Sequence, residues 1–139
     1  MTIQRVVQED KTGCGLACIA MLAGVCYKEA KKAALDNLKF RTKDEFYTGT
    51  GQLKELAAHF NIEIEGKRRR KFRNWSELPD VAIVSINPKE NNKYWHWVVF
   101  QRKDGAEVVF DPKKSIKTDR RTDFDRMKPF GYLPVLLRS

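Results

Sequence analysis

At 139 residues, with 42% hydrophobic and 32% charged content, the chain is sized for one ordered domain that buries roughly two-thirds of its unfolded surface. No apolar run approaches the ~20 residues that span a bilayer, and the N-terminus MTIQRVVQED lacks a signal peptide's layout. The expected location is therefore the cytoplasm, or outside the cell as an effector exported by another route. A formal charge of +9 suits anionic partners: an acidic protein or inhibitor, an anionic surface or, less favoured, nucleic acid.

Residues 3–7 (IQRVV) read as a short strand or extended lead-in to Gln8. Cys14 lies between Gly13 and Gly15, and an apolar, alanine-rich helix is predicted from Cys14 to a stop at Gly24. A helix apolar nearly all round is a buried one. At its first turn, unpaired amides and the positive end of the dipole favour a cysteine thiolate. Cys18, one turn further along the same face, reads as core packing. With Cys26 the cysteines number three, which argues against a disulfide framework. A zinc clip on Cys14 and Cys18 would need two more ligands, and neither His59 nor His96 has ligand spacing, so no metal is expected.

A second helix is expected over residues 28–38 and a polar, irregular segment over residues 40–50. Thr50 is the expected cap of a third helix through Phe60, with His59 a helix-end histidine. Beyond Asn61 the period becomes twofold. Ile62 and Ile64 begin a short strand, and the run Lys67 to Arg73 (KRRRKFR) reads as a solvated loop or edge strand, since only Phe72 interleaves as a base-stacking aromatic. Residues 74–80 form a turn-rich connection. VAIVSIN at 81–87 is a buried strand, 87–93 a loop, 95–101 a strand, and KDGA a hairpin turn into EVVFDP. Residues 113–128 look charged and mobile, and FGYLPVLLR closes with a strand whose Pro134 favours an edge or a bulge. Helices first and strands second predict a single α+β domain over 1–139, the mainly helical residues 1–60 carrying Cys14 and the mainly β residues 61–139 carrying His96 and Asp111.

A cysteine nucleophile needs a base, and His96 sits on a strong strand. A two-residue turn at Asp104-Gly105 pairs Lys103 with Ala106 and so Val98 with Asp111, which places Asp111 diagonally across from His96. An aspartate there fixes the imidazole tautomer and leaves the other ring nitrogen for the sulfur. Gln8, six residues before Cys14, could complete an oxyanion hole with the Cys14 amide.

Gln8, the GCG-x-A-C-x-x-M run from Gly13 to Met21, TGTGQLKELAAHFNIEIE, HWVVF and Val-Phe-Asp-Pro ending at Pro112 together resemble the bacteriocin-processing cysteine peptidases. That family is papain-like and usually forms the N-terminal domain of transporters that trim double-glycine leaders. The resemblance implies a papain-like fold and a peptide or protein substrate without a cofactor. It also implies Cys14 as nucleophile, His96 as base and acid, Asp111 as orienter and Gln8 as oxyanion donor. One departure is Gly13, where the family commonly has an acid. Three readings follow: a cysteine peptidase, a papain-like toxin or effector acting on a macromolecule, or an inactive basic binding module.

Overall fold

The computed structural model describes residues 2–40 and 44–136. Three helices come first: α1 (Cys14–Ala23), α2 (Tyr27–Asn37) and α3 (Thr50–His59). Six strands follow: β1 (Glu63–Ile64), β2 (Arg70–Lys71), β3 (Val81–Lys89), β4 (Tyr94–Lys103), β5 (Ala106–Phe110) and β6 (Pro129–Leu136). The sheet is antiparallel throughout, in the order β1-β6-β3-β4-β5, with β2 also on β6. The expected α+β class is the observed one. Residues 41–43 of the expected irregular segment and 137–138 of the expected last strand lie outside the described residues.

Helix α1 runs through the middle of the structure. Every residue from Cys14 to Leu22 is buried, and Gly24 ends the helix at φ 71°, a left-handed conformation that glycine adopts without steric cost. Its neighbours are α2, α3 and β4. The glycines around Cys14 answer to space rather than to backbone torsion. A Cβ on Gly13 would lie 1.9 Å from the Tyr27 hydroxyl, and one on Gly15 would lie 1.9 Å from Thr48 Oγ1. The Tyr27 ring thus fills the space that a side chain at position 13 would need. Thr50 is the first residue of α3, not its cap. The cap is Gly49, whose N–H donates to Gln52 Oε1 at 3.1 Å.

The sheet is covered on both faces, which explains the unbroken apolar run of β3. Val81 and Ile83 join the helices in one core, whereas Ala82, Val84 and Ile86 pack with Leu78, Phe100 and Met127 in a second. Strand β3 runs to Lys89, further into the expected loop, and Asn87, Glu90, Asn91 and Asn92 turn the chain at positive φ. Residues 3–7, expected as a short strand or lead-in, form no strand.

Strand β6 differs from the expectation for Pro134. It has neighbours on both sides, although its outer partner is broken into the two-residue pieces β1 and β2. Pro134 accepts from Glu65 N through its carbonyl at 2.9 Å. Amide and carbonyl of one antiparallel residue face the same neighbour, so the absent N–H faces Glu65 at the end of β1, on the interrupted outer side, and not β3. The basic run supplies β2 at this edge, as the solvated reading holds. Its Arg69 turns back over the Trp95 ring, 4.0 Å from the centroid.

Candidate active site

Local structure decides where each site residue stands. Cys14 is the first residue of α1 and 9% exposed. Its Sγ accepts the Trp97 N–H at 3.4 Å, which ties the helix start to the middle of β4. Trp97 is itself fixed, its indole N–H donating to the Thr48 carbonyl at 2.9 Å.

The β4-β5 hairpin has the expected register. Asp104 and Gly105 both take positive φ, 53° and 80°, as a two-residue turn matched to strand twist requires. Lys103 pairs with Ala106 and Val99 with Phe110, so Val98 and Asp111 are the next pair along. The diagonal contact follows: His96 Nε2 lies 2.6 Å from Asp111 Oδ1. His96 and Cys14 line the same cleft, and with Nε2 committed to Asp111 the remaining nitrogen, Nδ1, is the one left to serve the sulfur.

Asp111 is 1% exposed and fully engaged. Oδ1 also accepts the Lys113 N–H at 2.9 Å, and Oδ2 accepts Arg121 Nη1 at 2.7 Å. Burial would raise the Asp111 pKa, but the hydrogen bonds from His96, Lys113 and Arg121 outweigh it and hold the carboxyl below its usual 3.8. Burial likewise opposes a charged His96, yet the bonds to Asp111 and Cys14 prevail and lift its pKa from 6.5 to about 9. The imidazole is therefore cationic at neutral pH. Cys18 is entirely buried, and desolvation foremost pushes its thiol pKa up, which suits packing.

Gln8 joins the same cleft as Cys14, His96 and Asp111. Its backbone N–H donates to the Pro112 carbonyl at 2.9 Å. Its Nε2 hydrogens are both occupied, donating to the Asp10 and Lys11 carbonyls at 2.9 Å each. All four predicted residues thus converge, with Gln8 turned toward its own loop.

Sequence reasoning missed Arg121. The segment expected to be mobile is instead bonded back onto β5. Val109 and Arg121 exchange backbone hydrogen bonds at 3.0 and 2.8 Å, and the Arg121 guanidinium spans Asp111 and Asp123. Arg5 adds to this, donating to the Asp111, Lys113 and Ile116 carbonyls. Nothing in a run of charged residues separates the one buried arginine from its solvated neighbours.

Two clefts open at Cys14. A narrow one of about 150 Å³ is walled by Tyr47, Thr48, Gly49, Tyr94, Trp95 and Trp97, with Lys93 also lining it. A wider one of about 430 Å³ holds Gln8, His96 and Asp111. A buried thiol beside a cationic imidazole, with two clefts meeting at the sulfur, is an arrangement suited to acyl transfer.

Comparison with known proteins gives the class first: the chain is an α+β cysteine peptidase. The profile of the Peptidase C39 family matches residues 2–127, and the chain belongs to that family. Among solved structures it is similar to a double glycine motif protease from an AMS/PCAT transporter, crystallised in complex with the leader peptide. The likeness has a TM-score of 0.61 at 18% identity and covers 96% of this chain and 98% of that one. No protein with a curated description matches. No helix among the described residues is long and apolar enough to cross a membrane.

Proposed function

We propose that this peptidase works through a Cys14-His96-Asp111 triad and a thioester intermediate on Cys14. The observation that carries this reading is the 2.6 Å contact of His96 Nε2 with Asp111 Oδ1 in the cleft that Cys14 also lines. The sulfur attacks the substrate carbonyl as a thiolate, and the carbon–nitrogen bond breaks as cationic His96 gives its proton to the departing amine. Neutral His96 then takes a proton from water, whose oxygen attacks the thioester; the carbon–sulfur bond breaks and Cys14 leaves as the thiolate beside the imidazolium. Asp111 stays ionised throughout and fixes the ring. The Cys14 N–H, without an intrahelical partner at the helix start, faces the developing oxyanion. Gln8 joins it by releasing one of its two carbonyl acceptors.

The substrate is a peptide. The protein of similar fold was crystallised with a leader peptide and is named for a double glycine motif, and the narrow aromatic cleft here suits small residues on the acyl side. Incubation with peptides carrying an internal Gly-Gly, read by mass spectrometry, tests the reading. We expect cleavage after the glycine pair, an acyl adduct on Cys14 after acid quench, and neither in Cys14→Ala. Turnover that survives in Cys14→Ala would refute it.

A further inference from the structure

The two clefts at Cys14 are not equivalent, and their difference assigns the halves of the substrate. The group that protonates a leaving nitrogen must lie within hydrogen-bond reach of it. His96 lines the wide cleft and not the narrow one. On the triad reading proposed above, the residues after the scissile bond therefore cross the wide cleft, and the acyl half occupies the narrow one.

The charge of the wide cleft is one-sided. Lys11, Lys89, Lys113 and Arg121 line it, and Asp111 is the one acid among its lining residues. Asp111 and Arg121 neutralise each other within the buried network. The three lysines are exposed and have no ion-pair partner among the described residues. They come from three segments, the loop before α1, the end of β3 and the turn after β5. Charges of one sign around a cleft focus the potential inside it. The conspicuous basic run Lys67 to Arg73 contributes nothing to this lining.

We infer that the wide cleft selects substrates with carboxylates in the first few residues after the scissile bond, and that Lys11, Lys89 and Lys113 are the selecting groups. Asp or Glu side chains there meet the ammonium groups that line the cleft. Lysines there meet repulsion. The effect is electrostatic and partly exposed, so it is graded and screened by salt.

Matched peptides with one acyl half test the inference, the three residues after the cleavage site being Asp/Glu, Ser/Asn or Lys. Cleavage by the wild-type chain and fluorescence-anisotropy binding to Cys14→Ala are measured in parallel. At low salt the acidic peptide should be favoured over the neutral one by roughly tenfold, and the basic one disfavoured, with the spread shrinking toward 0.5 M salt. The double variant Lys89→Glu, Lys113→Glu should invert the order, and Lys89→Gln, Lys113→Gln should flatten it. Moving the same charges to the acyl half should weaken the preference, since Lys93 is the one Lys, Arg, Asp or Glu lining the narrow cleft. Equal cleavage and equal affinity across the three peptides, or an order unmoved by charge reversal, overturns the inference. Charge-ordered binding to Cys14→Ala without cleavage by the wild-type chain supports the inference and counts against the triad reading instead.

Discussion

Asp111 is the residue on which the site's electrostatics turn. A carboxylate at 1% exposure survives burial only with its oxygens satisfied, and His96, the Lys113 amide and Arg121 satisfy them. Removing the cation alone strands the charge, so Arg121→Leu should cost about 3–5 kcal/mol of stability in urea unfolding. Removing the charge alone disarms the histidine. Asp111→Asn should lower kcat/KM by roughly 10²- to 10⁴-fold and shift the alkaline limb of its pH profile down from about pH 9, because the amide no longer holds the imidazolium. The same values set the pH dependence of folding. A His96 pKa raised from 6.5 to about 9 stabilises the fold fully below about pH 6.5 and ceases to do so as pH rises through about 9. Depressed Asp111 runs oppositely, stabilising above about pH 3.8 and losing that effect as the pH falls. Unfolding free energy should therefore decline from pH 6.5 to 10, and His96→Gln should flatten the decline; an equal slope in both proteins would reject the assignment.

At the scale of elements, the site is the meeting of one helix start with one hairpin. Both were legible. The helix was readable because an apolar, alanine-rich run follows directly on Gly13, Cys14 and Gly15. The hairpin was readable because Asp104-Gly105 admits one tight turn, and a fixed register carries Asp111 to His96 by geometry alone. What stayed hidden depends on contacts distant in sequence. Arg121 is buried because β5 pairs with the residues around it, and no local pattern announces that pairing. Pro134 misled for a related reason: the rule against proline inside a sheet assumes a continuous neighbour, and here that neighbour is interrupted. The glycines flanking Cys14 were visible, but their reason was not, since it lies in the Tyr27 hydroxyl and the Thr48 side chain. Gly15→Ala forces Thr48 and Leu53 aside, so it should destabilise the protein by about 1–3 kcal/mol. It should also impair catalysis, because Thr48 is next to the cleft and its carbonyl anchors Trp97. Normal unfolding free energy in Gly15→Ala would mean that the loop around Thr48 yields freely.

At the scale of the whole molecule, the helices and the sheet share one core. Leu16, Cys18, Ile19, Leu53, Ile83, Trp97 and Leu133 belong to a single cluster, and α1 is apolar all round because it is covered by helices and by β4. A helical half that opened by itself would expose nearly the whole of α1 to water, at a cost proportional to the apolar area uncovered. The cysteines report on this directly. Cys26 is exposed, Cys14 lies at the cleft and Cys18 is fully buried. In a thiol-labelling time course read by mass spectrometry, Cys26 should react at once. Cys18 should react only through global unfolding, with an opening free energy in the usual range of about 5–15 kcal/mol. Its labelling rate should then rise with urea along the full unfolding slope, and Arg121→Leu should accelerate it by the factor its lost stability dictates. A urea-independent Cys18 rate would instead reveal a helical layer that detaches while the sheet stays folded. In that case Cys14 and His96 would separate without unfolding, and activity would be lost at lower urea than the sheet.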